Sequence, residues 1–494
     1  MSYCVYFGLQ LMELKKNNWI VIVLMCIFLV LSSRLSFAYE CRIMNYAYAI
    51  DCNKIPSENE RDFDVTVFKV SATVRYPRPE PIVWIPDGLV LTPSDRAPSV
   101  ISTLTRVRSQ RDFLWLEFQN QQKKILQDCN PDTYSTRLKI ADLANRIDPF
   151  QSPELLTNCQ KSIAQLSDKN QFSYESIAKV YESTRKKLGL QQVVIVAEGR
   201  GAAIALAWQQ LAPEAIRFTV LDSPVFYKLD FNIEQAVSQE NALKAVFNAC
   251  RTSSQCNKNY PNPQGDFLNI LEKLPQSISA NDPLTLQKTT FEMTDQLFLQ
   301  GMQFLLRSPS RAKTLPMLLA SAQSGDWQPF VGMLSVGWFR RNNIANLGLH
   351  LLETCIKFDE SELNRAQGLN NIASWFFQTG QKRLINMCGD TRALNITNAV
   401  FKVPSLVLSG GMNPARQKIH SFFKNKTVID AKNAGANLLG YGCTKDVVYR
   451  YFKAIDSIEN HTSSPELKSL EAGCVSNIPY PSMDSQPFFM KGAL

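Results

Sequence analysis

Residues 188–208 read LGLQQVVIVAEGRGAAIALAW, and a second apolar segment, Arg217–Leu221, follows nine residues later. The β-branched run Val193–Val196 is typical of a central parallel strand that is buried on both faces. The small residues after it predict a tight turn into an alanine-rich helix. Strand, helix and strand in this order predict an α/β protein with a mostly parallel sheet.

The same alternation continues on both sides of this unit. Upstream, residues 174–188 show a helical pattern that ends at Gly189. Downstream, the helix Lys445–Phe452 is predicted near the end of the chain. Five further segments are predicted strands: Asp64–Val70, Pro81–Pro86, Asp112–Glu117, Pro404–Leu408 and Lys426–Asp430.

The middle of the chain departs from this rhythm. Between about Phe231 and Lys402 there is no convincing parallel strand, so we predict a helical insertion. Its predicted helices are Glu240–Asn248, Phe267–Lys273, Met293–Leu306 and Thr314–Ser324.

The turn after Val193–Val196 resembles the nucleophile elbow of the α/β-hydrolases, where a serine stands in the pattern G-x-S-x-G. Here the five positions are Ala197, Glu198, Gly199, Arg200 and Gly201. Small residues still permit the sharp turn. The nucleophilic serine is replaced by Gly199.

Over most of its length the chain is similar to the secreted bacterial tripeptidyl aminopeptidases and the prolyl aminopeptidase-like α/β-hydrolases. The similarity includes Cys250 and Cys256 ahead of Tyr260, and the segment Val403–Pro414. It implies the α/β-hydrolase fold, a mostly parallel central sheet flanked by helices, with an inserted helical cap. The predicted parts are a signal peptide at 1–38, the first part of the core at 39–230, the cap at 231–402 and the C-terminal part of the core at 403–494.

The resemblance also places the other two members of the catalytic triad. The acidic member follows the strand Pro-x-Leu-Val-Leu-x-Gly, which matches Asn413, and the histidine precedes a cysteine in a pattern that matches Ala436 ahead of Cys443. A serine attacks only when an imidazole takes its proton and a carboxylate orients that imidazole. With Gly199, Asn413 and Ala436 at the three positions, no catalytic residue is intact.

Two regions around the site depart from the family pattern. Pro86-Asp87-Gly88-Leu89 stands where Gly-Gly-Pro-Gly is usual, and Glu117–Asn120 stands where Asp-Gln-Arg-Gly is usual. The site has therefore changed as a whole.

These substitutions favour a non-catalytic protein that binds a peptide or protein in the cleft between core and cap. The alternative is an active serine hydrolase or aminopeptidase that acts on peptides or esters with a non-standard nucleophile. The chain contains no other G-x-S-x-G. Ser223 and Ser409 lie near strand ends, but neither lies on an elbow.

We do not assign a catalytic role to the other polar residues near these motifs. Glu198 and Arg200 are surface residues at the turn or ligands of a polar pocket. Asp222 is structural, and His420 is an ordinary residue of a predicted helix over Arg416–Phe422.

The N-terminus predicts export. Lys15 and Lys16 precede the apolar run Trp19–Leu31, and small residues allow cleavage after Ala38. A membrane anchor is the alternative, but this run is shorter than the roughly 20 residues that span a bilayer. We predict a secreted or periplasmic protein with no stable membrane anchor after cleavage.

The cysteine count agrees with export. Of 12 cysteines, Cys4 and Cys26 lie in the predicted signal peptide, which leaves an even number for disulfides. Many connectivities are open. Local order suggests the pairs Cys41–Cys52, Cys129–Cys159, Cys250–Cys256, Cys355–Cys388 and Cys443–Cys474.

Composition and residue spacing give no support to two classes of ligand, nucleic acids and metal ions or cofactors. The 53 basic and 44 acidic residues are dispersed along the chain, so the net charge of +9 gives no support to nucleic-acid binding. His350, His420 and His461 lack ligand-like spacing and there is no C-x-x-C pair, so we predict neither a metal site nor a cofactor.

Overall fold

A computed structural model describes most of the chain. The described residues are 39–43, 46–47, 50–56, 64–88, 93–119, 153–165, 169–226, 231–283, 286–341, 362–388, 400–458 and 464–483. The predicted signal peptide lies outside these ranges, as do His350 and His461.

A central sheet organises the described residues. The strands are β1 Tyr39–Cys41, β2 Ile50–Ile55, β3 Asp64–Val70, β4 Ile82–Ile85, β5 Phe113–Gln119, β6 Val193–Glu198, β7 Ile216–Asp222, β8 Gln276–Asn281, β9 Lys288–Met293, β10 Ser405–Gly410 and β11 Lys426–Ala431. Nine of them form one sheet in the order β1-β2-β3-β5-β4-β6-β7-β10-β11. From β5 to β11 every pairing is parallel, and β1 to β3 are antiparallel. This order and the helices on both faces of the sheet confirm the predicted α/β-hydrolase fold.

The α-helices are α1 Ala97–Thr103, α2 Thr105–Arg108, α3 Pro153–Ala164, α4 Tyr174–Lys187, α5 Gly201–Leu211, α6 Phe231–Thr252, α7 Ser254–Asn259, α8 Pro263–Lys273, α9 Asp295–Leu306, α10 Pro309–Ala312, α11 Leu315–Gln323, α12 Gln328–Arg341, α13 Glu362–Arg365, α14 Asn371–Cys388, α15 Thr444–Asp456 and α16 Gly473–Ser476. Short 3-10 turns lie at 93–95, 169–172, 213–215, 366–368, 420–422, 438–440 and 467–470. On one face of the sheet, α4 and α5 bury Tyr181, Trp208 and their neighbours. On the other face, α1 and α15 pack in the same way.

Local sequence explains why the central helices begin and end where they do. The Ser173 hydroxyl accepts a hydrogen bond from the Ser176 amide at 3.2 Å and caps the first turn of α4. Gly189 follows α4 with a φ of +69°, a conformation that favours glycine. Both observations confirm the predicted helix.

Between β7 and β10 the described chain forms helices α6 to α14 and a separate hairpin of β8 and β9. Helices occur at all four predicted places in this segment. The segment has its own apolar core, which includes Phe267, Phe298 and Phe330. The hairpin was not predicted, because β8 buries only Ile278 and Ala280 and its pattern is short and polar. The exact boundaries of core and cap stay predictions.

The predicted helix over Arg416–Phe422 is wrong. Only a 3-10 turn at His420–Phe422 forms there. The side-chain amide of Gln417 accepts a hydrogen bond from the Phe226 amide at 2.7 Å and donates one to the Phe226 carbonyl at 2.8 Å. These tertiary contacts hold the segment in an irregular conformation that overrides its helical pattern.

The structure confirms three of the predicted disulfides: Cys41–Cys52, Cys250–Cys256 and Cys443–Cys474. Cys159 is buried and disulfide-bonded, and its predicted partner Cys129 lies outside the described residues. The predicted pair Cys355–Cys388 is not tested, because Cys355 also lies outside them.

Among the residues that the structure describes, no helix has both the length and the apolar character needed to cross a membrane.

Candidate functional site at the elbow

The elbow joins β6 to α5 at the carboxyl edge of the parallel strands. Gly199 has a φ of +50°, and its amide donates to the Asp222 carbonyl of the neighbouring strand at 2.9 Å. A β-carbon on Gly201 would lie 2.7 Å from the Ile85 carbonyl oxygen, so the turn also needs the small residue at 201. The backbone geometry of an elbow is therefore present without its serine.

The carboxylate of Asp87 lies where a side chain on residue 199 would begin. A β-carbon built on Gly199 would overlap Oδ1 of Asp87 and come within 2.5 Å of its Cγ. Asp87 follows β4, in the loop that approaches the elbow from the neighbouring strand. The space of a nucleophilic side chain is thus filled by another residue of the chain.

Asp87 is held by the residue that follows Gly199. The Arg200 amide donates to Oδ1 of Asp87 at 3.0 Å, and the Arg200 Nε donates to the same oxygen at 3.1 Å. In α/β-hydrolases the amide after the nucleophile is one of the donors that bind the oxyanion. Here that donor is satisfied by a carboxylate of the protein.

The cap contributes a second arginine to Asp87. Arg307, directly after α9, places Nη2 3.4 Å from Oδ2 of Asp87. Burial opposes the charge of Asp87, but Arg200 and Arg307 outweigh it and hold the pKa of this carboxyl well below its usual range. Asp87 is therefore a permanent anion across the physiological pH range.

Arg307 also contacts the loop that carries the predicted histidine position. The Ala436 amide donates to the Arg307 carbonyl at 3.3 Å. A β-carbon on Gly435 would lie 2.5 Å from the same carbonyl oxygen. The cap is therefore packed directly against the position that Ala436 occupies.

Asn413 lies in the turn after β10. Its Oδ1 accepts a hydrogen bond from the Ala415 amide at 3.0 Å, a contact that closes the turn locally. Nearby, the Met412 amide donates to the Ala434 carbonyl at 2.9 Å, which joins this turn to the loop of Ala436. The fold therefore brings the three predicted positions to one edge of the sheet, and Asn413 has a structural contact there.

Glu198 is the residue whose environment differs most from the prediction. It is 2% exposed, so its interpretation as a surface residue is wrong. The reason is that β6 is central and both of its faces are covered. The interpretation as part of a polar pocket fits better, because Arg96 Nη2 donates to Oε1 of Glu198 at 2.9 Å.

The second oxygen of Glu198, Oε2, is buried and has no hydrogen-bond partner among the described residues. Burial, together with the charges of Asp222 and Asp87, raises the pKa of Glu198 to about 7 despite the nearby Arg96. Near neutral pH this group is therefore divided between its acid and its carboxylate forms.

Asp222 has the structural role that was predicted. Its two oxygens accept hydrogen bonds from the amides of Leu438 and Leu439 at 2.9 and 2.7 Å, and so fix the loop beyond Ala436. Burial raises its pKa, although these hydrogen bonds favour the charged form. The Ser223 hydroxyl donates to Oδ1 of Asp222 at 3.0 Å, and Ser223 has a φ of +51°.

Together, six charged side chains meet at this edge of the sheet. We call them the carboxyl-edge cluster: Asp87, Glu198, Asp222, Arg96, Arg200 and Arg307. Sequence reasoning identified Glu198, Arg200 and Asp222 as polar residues near the turn but missed Arg96 and Arg307. Arg96 lies ten residues after the predicted strand Pro81–Pro86, and Arg307 lies in the cap. The sequence around each of them does not indicate which carboxylate it contacts. The signal that was available is Asp87, a carboxylate in a loop where the hydrolases that the sequence resembles have glycine and proline.

Comparisons with known proteins give structural likenesses alone. No family model matches the sequence, and no match was found among curated proteins. Carboxylesterase CesB (YbfK) from Bacillus subtilis has 10% identity and a TM-score of 0.33, over 83% of this chain and 92% of that chain. Cfl2 from Burkholderia cenocepacia has 7% identity and a TM-score of 0.37, over 84% and 99%.

A proline iminopeptidase from Mycobacterium smegmatis has 10% identity and a TM-score of 0.36, over 82% of this chain and 99% of that chain. These scores are low, so the assignment of the α/β-hydrolase fold rests on the strand order and the elbow described above.

Proposed function

We propose that this protein is a non-catalytic relative of the tripeptidyl aminopeptidase-like α/β-hydrolases that binds a peptide or protein partner between the core and the cap. One observation carries the proposal. The carboxylate of Asp87 fills the space of the nucleophile and accepts a hydrogen bond from the Arg200 amide at 3.0 Å. Chemistry at this elbow would require both a nucleophile and a free oxyanion donor.

The charge of Asp87 strengthens the proposal. An oxyanion that forms during acyl transfer would meet the carboxylate of Asp87 in the place where donors are needed. Two negative charges in contact repel each other, and this repulsion would raise the free energy of the oxyanion. The same loop that supplies oxyanion donors in hydrolases therefore opposes that chemistry here.

Export belongs to the proposal as well. The three confirmed disulfides are typical of oxidising compartments. We expect the intact mass of protein purified from the extracytoplasmic fraction to match Tyr39–Leu494, less two hydrogens for each of five bridges. A mass that includes residues 1–38 would contradict the predicted cleavage.

The proposal is tested by turnover. We expect no hydrolysis of aminoacyl and tripeptidyl p-nitroanilides or of p-nitrophenyl esters above the rate of the heat-inactivated protein. Hydrolysis that persists through purification to homogeneity, and that saturates with substrate, would contradict a non-catalytic role.

A second candidate function, a serine hydrolase with a non-standard nucleophile, is favoured by Ser223. Its positive φ is uncommon for a residue other than glycine, and its hydroxyl donates to the carboxylate of Asp222. In that case turnover would be lost in Ser223→Ala and retained in Ser409→Ala, the matched control from the same edge of the sheet.

A further inference from the structure

The charges of the carboxyl-edge cluster are arranged by depth. Glu198 and Asp222 are each 2% exposed. The side chains of Arg96 and Arg307 are 42% and 54% exposed. A ligand that approaches from solvent therefore meets the guanidinium groups of Arg96 and Arg307 before it meets the carboxyl groups of Glu198 and Asp222, and Asp87, 26% exposed, lies at intermediate depth. This arrangement favours an anionic ligand.

The place of Asp87 is formed to hold a carboxylate. Its donors are the Arg200 amide at the start of α5, the Arg200 Nε and the Arg307 Nη2, which come from the core and the cap. Two glycines make the room: Gly199 leaves space for the carboxylate, and a β-carbon on Gly88 would lie 2.7 Å from Nη2 of Arg200. Arginine with a helix N-terminus is a common combination for binding a carboxylate.

Asp87 is not sealed from solvent, because its side chain is 26% exposed. Asp87 itself lies in the loop after β4, and residues in loops move more readily than residues within a sheet. A ligand carboxylate in the same place would meet the same donors and would require no change in β6 or α5.

Glu198 gives an independent indication of a ligand. Its Oε2 is buried and without a hydrogen-bond partner among the described residues, and a buried polar atom in that state is costly. Glu198 directly precedes Gly199 and is close enough to Asp87 for their charges to interact. In its acid form the group has an O–H to donate that Asp87 does not accept, so a ligand oxygen beyond the place of Asp87 is a suitable acceptor.

We infer that the carboxyl-edge cluster binds a carboxylate group of a peptide ligand, which takes the place of Asp87 between Arg200 and Arg307. This inference rests on the proposed function and names the chemistry that the site recognises. Asp87 acts as an internal competitor. The apparent affinity of the wild-type protein is lowered by the fraction of molecules in which Asp87 occupies the site.

The test uses the full mature protein and three alanine-based peptides with a neutral fluorophore at the amino end, followed by fluorescence polarisation. The first peptide ends in a free carboxylate and the second in a carboxamide. The third ends in a carboxamide and carries one internal aspartate, so that a terminal carboxylate is distinguished from a side-chain carboxylate. The variants are Asp87→Asn and, as the matched control, Asp95→Asn, whose exposed aspartate lies eight residues further along.

We expect Asp87→Asn to lower the Kd of at least one carboxylate peptide by tenfold or more, whereas Asp95→Asn leaves it unchanged. Adding Arg200→Gln to Asp87→Asn should reverse the gain. The carboxamide peptide without aspartate should bind at least fivefold more weakly than the preferred carboxylate peptide to every variant that retains Arg200. Tighter binding of the first peptide would identify a terminal carboxylate as the group that binds, and tighter binding of the third would identify a side-chain carboxylate.

Equal Kd values for Asp87→Asn and the wild type would overturn the inference. If Asp87→Asn does not fold, the wild-type protein decides: binding of both carboxylate peptides no tighter than that of the uncharged carboxamide peptide overturns it. Loss of the carboxylate preference without turnover would leave the proposed function standing. Turnover would instead overturn the proposed function, whatever the order of affinities.

Discussion

Two groups of charged side chains lie at opposite edges of the same sheet. The carboxyl-edge cluster follows the ends of β4, β6 and β7. The other group, which we call the amino-edge cluster, lies where strands begin and comprises Glu80, Arg111, Arg217 and Asp456.

The amino-edge cluster resembles a structural ion network. Arg111 is 1% exposed and pairs with Oε2 of Glu80 at 2.7 Å, while Arg217 pairs with Oε1 at 2.6 Å. Both oxygens of Glu80 are therefore engaged. Burial opposes the charge of Glu80, but the hydrogen bond and charge of Arg111 and the charge of Arg217 outweigh it and lower its pKa.

Glu198 in the carboxyl-edge cluster shows the opposite behaviour. It has one arginine partner, one buried oxygen without a partner, and two further carboxylates nearby, so its pKa is raised to about 7. Burial beside an arginine therefore does not by itself fix the protonation state of a carboxylate. The protonation state depends on how many hydrogen-bond donors each carboxylate oxygen has. Where both oxygens of a carboxylate have an arginine partner, as in Glu80, the charged form is stabilised, whereas a buried carboxylate with a raised pKa, such as Glu198, is a candidate functional group.

The largest expected effect is on the free energy of unfolding when an arginine of either cluster is replaced. Arg111→Met should lower the free energy of unfolding by about 3–5 kcal/mol, because Oε2 of Glu80 and Oδ1 of Asp456 lose their ion pairs with a fully buried arginine. Arg96→Met should cost at most about 1 kcal/mol, because Arg96 is half exposed and Glu198 can take up a proton. Urea unfolding at pH 7 measures both values. Equal costs would remove the distinction between the two clusters.

The next prediction concerns the elbow. Gly199→Ser should lower the free energy of unfolding by about 2–4 kcal/mol, because it combines backbone strain with a clash against Asp87. It should also fail to create hydrolase activity, since Asn413 and Ala436 supply neither acid nor base.

Gly189→Ser is the matched control for that variant. Gly189 also has a positive φ, +69°, but a β-carbon there meets nothing within 4 Å. It should cost about 1–2 kcal/mol from strain alone. In an Asp87→Ala background the cost of Gly199→Ser should fall to the same range. An unchanged cost would mean that Asp87 does not fill the space of the nucleophile.

The two glutamates should have opposite pH dependence. The pKa of Glu198 in the folded protein is about 7, against an ordinary value of 4.5. Its contribution to stability is therefore fully present below its ordinary pKa and is lost as the pH rises through about 7, a change of up to about 3 kcal/mol. Because the pKa of Glu80 is lowered, its contribution is present above its ordinary pKa and is lost as the pH falls.

The measurement is the free energy of unfolding of wild type, Glu198→Gln and Glu80→Gln between about pH 2 and pH 8, in steps of about half a unit. The stability of wild type relative to Glu198→Gln should fall as the pH rises. Relative to Glu80→Gln it should fall as the pH is lowered. Parallel curves for wild type and Glu198→Gln would show that Glu198 is an ordinary ionised carboxylate.

Much of the fold follows from local sequence. The apolar runs at Val193–Val196 and Pro404–Leu408 predict central strands, because only a sheet covered on both faces buries such segments completely. The β8–β9 hairpin and the irregular segment around Gln417 were not predictable in this way. Both depend on packing against distant parts of the chain.

The residues of the site likewise fall into those that local sequence identified and those that it did not. Gly199, Asn413 and Ala436 were identified from motif positions, and the fold places them at one edge of the sheet. Asp87 was identified only as a departure from a pattern, since its contact with Arg200 depends on the register between β4 and β6. The contribution of Arg307 depends on how the cap packs on the core.

The most direct test of the account is the intact mass of the purified mature protein before and after treatment with a serine-reactive fluorophosphonate. An elbow without a nucleophile, with Asp87 on its oxyanion donor, predicts an unchanged mass at full protein recovery. An adduct of one fluorophosphonate for each chain would contradict the account. The labelled peptide would then identify the activated serine, with Ser223 as the first residue to replace.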